Sequence, residues 1–154
     1  MAKSKIPKIG IIIGSKSDLP VVEKAAKQLE EFGISYEITV ASAHRAPKKV
    51  EQYARAAENK YDLIIAAAGM SAALPGVVAS QTALPVIGLP IHSKALSGRD
   101  ALFSIVQMPP GVPVATVAID GAVNAALLVV AMLAISDDGL AAKLADDRRR
   151  RSAS

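Results

Sequence analysis

The segment SAHRAP, Ser42–Pro47, sets an imidazole beside a guanidinium. Histidine is the side chain best suited to giving and taking protons near neutral pH, and arginine grips phosphate oxygens through two parallel hydrogen bonds. A second polar stretch, GSKSD at Gly14–Asp18, comes close to a phosphate-binding loop in which a glycine, four residues and Gly-Lys-Ser wrap a nucleoside triphosphate. Ser15 stands where the second glycine belongs. If a strand runs through Ile13, only Gly14, Ser15, Lys16 and Ser17 remain before the next helix, too short a loop to encircle a triphosphate. What remains is two hydroxyls, free backbone N–H groups and a helix start, which suit one phosphate or a small anionic group. Asp18 would repel a phosphate but accepts readily from sugar hydroxyls, so a sugar phosphate would engage both.

Each of these residues also has a plainer role. Ser17 or Asp18 can simply cap a helix, and a loop histidine is commonly just solvated. Position weighs for His44: it follows a strand and sits between Ser42 and Arg45, in a chain with only two histidines. The other, His92 in GLPIHSK, also follows a strand but lacks such company and reads as a surface residue. A third loop, AAAGMSAALPGV (Ala66–Val77), brings glycines and small residues to a helix start. It allows close helix–sheet packing, and equally a dry wall at Gly69 that offers backbone N–H groups without crowding a ligand.

These loops need a scaffold that brings them together. KIGIII (Lys8–Ile13) is a β-branched run, and Val22, Ala25, Ala26, Leu29 and Phe32 then recur at helical spacing up to Gly33. The alternation continues with a strand Ser35–Val40, a helix from Pro47 to Glu58, a strand Asp62–Gly69 and a helix Leu74–Thr82. A strand Pro85–Pro90, a helix Leu96–Gln107, a strand Pro113–Ile119 and a helix Gly121–Ser136 complete it. The pattern predicts an α/β fold, an open parallel sheet with helices on both faces, whose strand-end loops share one crevice.

At 154 residues the chain fits one domain, expected to span 1–154 with basic tails at 1–8 and 146–154. Only 3% of residues are aromatic, so the core must be built from Ala, Val, Ile and Leu. The absence of cysteine excludes disulfides and thiolate metal sites. Of the net charge of +4, Lys3, Lys5 and Lys8 and the Asp146–Ser154 segment carry more than the whole, leaving residues 9–145 at −1. A near-neutral body argues against a nucleic-acid surface. AALLVVAMLAI, the apolar run at 125–135, is far shorter than the ~20 residues that span a bilayer. A helix apolar all round must be covered all round, which predicts a homo-oligomer, with DDRRRRSAS fraying beyond it. MAKSKIPKIG shows no signal-length apolar run, and the cytoplasm is the expected compartment.

GSKSD, SAHRAP, AGMSAALPG and SIVQMPPGVPVATVAI…NAALL, in that order from about Ile9 to Ile135, together resemble the class I N5-carboxyaminoimidazole ribonucleotide mutases, the PurE family of purine biosynthesis. The resemblance implies a three-layer flavodoxin-like fold, a homo-octamer, and neither metal nor organic cofactor. It implies a small-molecule ribonucleotide substrate whose carboxylate moves from the exocyclic nitrogen to C4 of the imidazole. Position by position, Ser15, Asp18 and Arg45 match the substrate-binding residues and His44 the proton carrier. Ser17, Ser42 and Gly69 are further candidate ligands, and Gln107–Pro109 would approach a neighbour's site. The third motif departs from the frequent GGAAHLPG, with Met70-Ser71 and with Ala73 where histidine is common. The alternatives are the class II carboxylase, which uses CO2 directly and tends to read SAHK, and a non-catalytic sugar-phosphate-binding module of the same fold. A flavin module would want aromatic rings to sandwich the isoalloxazine, where this chain has five aromatics in all, and a receiver domain an Asp where the third strand ends in Ala-Gly-Met.

Overall fold

The structure, a computed structural model, describes residues 6–153. Five parallel strands run in the order β2-β1-β3-β4-β5: β1 Lys8–Ile13, β2 Ser35–Val40, β3 Leu63–Gly69, β4 Val86–Ile91 and β5 Ala115–Thr116. Six helices connect or follow them: α1 Leu19–Glu31, α2 Pro47–Ala57, α3 Leu74–Ala79, α4 Arg99–Val106, α5 Ala122–Leu133 and α6 Asp138–Ser152. The inner strands β1, β3 and β4 are apolar at nearly every position, as strands covered on both sides require, while the edge strand β2 carries Ser35, Glu37 and Thr39. Ile9, Ile11 and Ile13, with Leu63, Ile65 and Ala67, face the layer of α1, α5 and α6. Ile12, Ile64, Ala66 and Ala68 face α2, α3 and α4. Alternation along each strand thus builds the three layers. Among the described residues, no helix is long and apolar enough to cross a membrane.

Two glycines let the second layer close onto the sheet. A Cβ on Gly10 would lie 2.3 Å from the Tyr53 hydroxyl, and one on Gly88 2.3 Å from Ile105 Cγ2.

The differences from the sequence reading have local causes. The last strand shrinks to two paired residues because Pro113 offers no N–H and Asp120, at φ +55°, turns the chain back to donate its N–H to Pro90 O. The fourth helix starts at Arg99, since Ser97 and Gly98 both hold positive φ. DDRRRRSAS does not fray as expected: residues 146–152 belong to α6, which Asp137 caps by accepting from Leu140 N–H at 2.9 Å. Leu140 and Leu144 join the core, and the buried Asp147 accepts from Arg151 Nε at 2.6 Å. Arg151 also donates to Gln28 Oε1 of α1 at 2.9 Å. Lys8 likewise opens β1 and pairs with Glu37 at 2.8 Å, whereas Lys3, Lys5 and Ser154 lie outside the described residues.

Candidate functional site

The loops leaving β1, β2, β3 and β4 meet in a crevice of about 530 Å³ at the C-terminal edge of the sheet. Ser15, Ser17, Asp18, Ser42, His44, Arg45 and Gly69 all line it.

Gly14 ends β1 with its N–H on Ala67 O at 3.1 Å, so the loop begins tied to the neighbouring strand. Lys16–Asp18 then form a single 3-10 turn, capped by Ser15 rather than by Ser17 or Asp18. Ser15 Oγ accepts from the Ser17 N–H at 3.3 Å and from its hydroxyl at 2.9 Å, while Ser15 N–H donates to Asp18 Oδ2 at 3.2 Å. This reciprocal capping box folds the serines and the carboxylate onto one another. Asp18 makes no cap bond to α1, and the residue is 7% exposed. Burial raises its pKa above the usual aspartate value, and the bonds from Ser15 and Ser17 pull partly the other way.

SAHRAP is shaped by Ser42, whose Oγ accepts from the Arg45 N–H at 3.2 Å and whose carbonyl accepts from Ala46 N–H at 2.9 Å. Pro47 then opens α2. This turn leaves the His44 and Arg45 side chains exposed. Arg45 has no ion pair among the described residues, so its guanidinium is available to an anion.

The floor is Ala68–Leu74, small and apolar apart from Met70 and Ser71. Met70 holds a left-handed φ of +57°, uncommon for a residue with a side chain, and is 66% exposed. The fourth wall corrects the sequence reading: His92 is exposed, but with Ser93 it lines the crevice rather than an unrelated surface. The signal was present in the sequence, because His92 follows a strand as His44 does, and strand ends in an open parallel sheet converge.

Chemically, the crevice offers hydroxyls and a free guanidinium to a phosphate, a buried carboxylate to a diol, an imidazole for proton transfer, and a floor of mostly small side chains. No group of three or more His, Asp or Glu among the described residues is placed to hold a metal ion.

Comparison with known proteins gives a consistent picture. Residues 8–154 match the AIR carboxylase family. The chain is 58% identical over 145 residues to the N5-carboxyaminoimidazole ribonucleotide mutase of Pyrococcus abyssi, covering 94% of this chain and 83% of that protein. It is 55% identical to the mutase of the same name from Thermotoga maritima, covering 94% and 85%. Its fold is similar to the crystal structure of Treponema denticola PurE, with a TM-score of 0.86 at 32% identity over 95% of this chain and 92% of that one.

Proposed function

The chain belongs to the AIR carboxylase family, and from that premise we propose how its crevice performs the family chemistry. The protein is an N5-carboxyaminoimidazole ribonucleotide mutase, an isomerase of purine biosynthesis that forms 4-carboxy-5-aminoimidazole ribonucleotide. The observation that carries this reading to particular residues is the convergence of Ser15, Asp18, His44 and Arg45 on one crevice.

Arg45 and the hydroxyls of Ser15 and Ser17 take the phosphate, Asp18 accepts from the ribose diol, and Ser42 holds the turn that presents Arg45. The imidazole of the substrate lies on the small-residue floor at Gly69. His44 then makes two proton transfers, giving one proton and later taking another. As the bond between the exocyclic nitrogen and the carboxylate carbon breaks, CO2 forms and the nitrogen receives the His44 proton. C4 attacks the CO2, and His44 removes the C4 proton, returning to its starting state. Nothing is consumed, as an isomerisation requires. A positioned proton carrier is worth ~10²–10⁴ in rate. Small apolar walls hold the CO2 between the two steps.

The chain acts as one domain and assembles as a homo-octamer, a reading supported by the apolar residues left exposed on α4, Phe103 and Val106. In such an assembly Gln107–Pro109, which follows α4, approaches a neighbour's crevice. Substrate and product are multiply charged nucleotides that do not cross membranes unaided, which supports the cytoplasm as the compartment.

The test is incubation with N5-carboxyaminoimidazole ribonucleotide without ATP, following product formation above the uncatalysed rate. A parallel incubation with aminoimidazole ribonucleotide and CO2 separates direct carboxylation from isomerisation. Product from the second incubation alone would sink the mutase reading.

A further inference from the structure

The proposed reaction leaves the β4 wall of the crevice without a task, although that wall is built with care. β2 and β4 are separated by β1 and β3, so the strands that carry His44 and His92 stand three spacings apart, roughly 14 Å. The two histidines therefore line the crevice from loops that follow strands on either side of β1 and β3. The His92 backbone is pinned, since its N–H donates to Asp120 Oδ1 at 2.9 Å. Asp120 is itself a left-handed residue whose N–H is bound to Pro90 O at 2.8 Å, so a strained position serves to brace the end of β4. The loop 93–98 leaves His92 and comes straight back to it, with a Cβ on Gly98 falling 3.2 Å from His92 Cα. Ser93, the next residue on the wall, has its hydroxyl held by Asp100 Oδ2 at 3.3 Å. The His92 ring, by contrast, makes no hydrogen bond to the described residues. A fixed backbone with an uncommitted ring is the arrangement of a group kept for a ligand.

The ligand follows from charge. The substrate proposed above carries two anionic groups, a phosphate and a carboxylate, at opposite ends of the molecule. The β1 and β2 loops supply the guanidinium and hydroxyls that suit the phosphate. The Ala68–Ala73 floor offers no cationic side chain, and His92 supplies the polar side-chain donor on the far wall. We propose that His92, braced by Asp120 and flanked by Ser93, is the hydrogen-bond donor that holds the migrating carboxylate, and so distinguishes carboxylated from uncarboxylated nucleotide. The proposal rests on the mutase reading, but its test is separable from it.

The experiment compares binding of 4-carboxy-5-aminoimidazole ribonucleotide and of aminoimidazole ribonucleotide, which lacks the carboxylate, to wild type, His92→Ala and His92→Gln by calorimetry, alongside turnover. His92 is exposed, so neither variant threatens the fold. Loss of one charge-assisted hydrogen bond should weaken the carboxylated nucleotide at least about tenfold in His92→Ala and leave the uncarboxylated one within about twofold. His92→Gln, which keeps an N–H donor, should recover part of the loss, and KM for the mutase substrate should rise as that affinity falls. Unchanged affinity for both nucleotides, or an equal loss for both, overturns the proposal. A wild-type protein without turnover would overturn the mutase reading, while the two affinities would still decide the role of His92.

Discussion

Asp18 is a buried residue at the edge of the crevice, and its carboxyl pKa stands above the usual 3.8 because burial outweighs the bonds from the Ser15 N–H and the Ser17 hydroxyl. A group whose pKa is raised on folding favours the folded state while protonated, and that stability is lost as pH rises through the folded value. The ionised form present at neutral pH is therefore a cost to the fold, retained for what it accepts. Asp18→Asn should raise Tm at pH 7, and the gap from wild type should close as the pH falls below the ordinary aspartate range. Ribonucleotide binding should weaken in the same variant, because an amide presents one acceptor where the carboxylate presents two. A variant no more stable than wild type at neutral pH would show that the serine loop fully compensates the burial. His44→Asn keeps a planar polar side chain that cannot titrate, so it should retain the fold and much of the substrate affinity while losing at least ~10²-fold in kcat. Arg45→Lys removes the bidentate fork and should act through KM, with kcat nearly kept. Near-normal kcat in the His44 variant, or a pure kcat loss in the Arg45 variant, would reassign the proton step.

At the level of elements, the close approach of α2 to β1 decides whether SAHRAP is presented correctly, since that loop leads directly into α2. Tyr53 of α2 lies over Gly10, with its ring 5.7 Å from that of Tyr61. Gly10→Ala forces a methyl into the Tyr53 hydroxyl and the Tyr61 ring, an overpacking that should cost about 1–3 kcal/mol and lower Tm by several degrees. Adding Tyr53→Phe removes the nearer clash, so the double variant should recover part of that loss, a coupling that thermal unfolding reads directly. Losses that simply add would mean that the strand, rather than the tyrosine, yields. The strands and most helices are legible from their periodicity because buried parallel strands such as KIGIII and helix faces such as Val22–Leu29 carry strong apolar patterns. The α6 helix was not, because runs of Asp and Arg conceal two leucines at helical spacing, and only the fold shows Asp147 meeting Arg151 and, through it, Gln28. In the site, GSKSD and SAHRAP were readable from residue chemistry. His92 follows a strand as His44 does, so its place at the crevice was open to the same topological reading; only the fold shows Asp120 bracing it from the chain beyond β5.

For the whole molecule, assembly turns first on α5, whose apolar run needs cover on every side. The fold supplies much of that cover within the protomer: Ala125, Ala126, Val129 and Val130 are buried in the core shared with α1 and α6, while Leu127, Leu128 and Met132 remain partly buried. Ile135, just beyond α5, is 87% exposed, and α4 carries an exposed apolar pair one turn apart, Phe103 and Val106, at 65% and 47%. A single exposed apolar residue needs no explanation, but a neighbouring pair on one helix face supports the proposed contact surface. The two helices therefore predict different failures. Val130→Asp places an unpaired charge in the protomer core and should abolish folding, a penalty of several kcal/mol. Phe103→Asp should preserve the circular dichroism of the folded protomer and lower the sedimenting mass. Because Gln107–Pro109 follow α4 directly, an interface built on this helix also sets how that segment reaches the adjoining crevice, so activity should fall with mass in the Phe103 variant. Sedimentation of wild type as a monomer at micromolar concentration would remove the assembly argument, and a Phe103→Asp protein of unchanged mass would move the interface off α4.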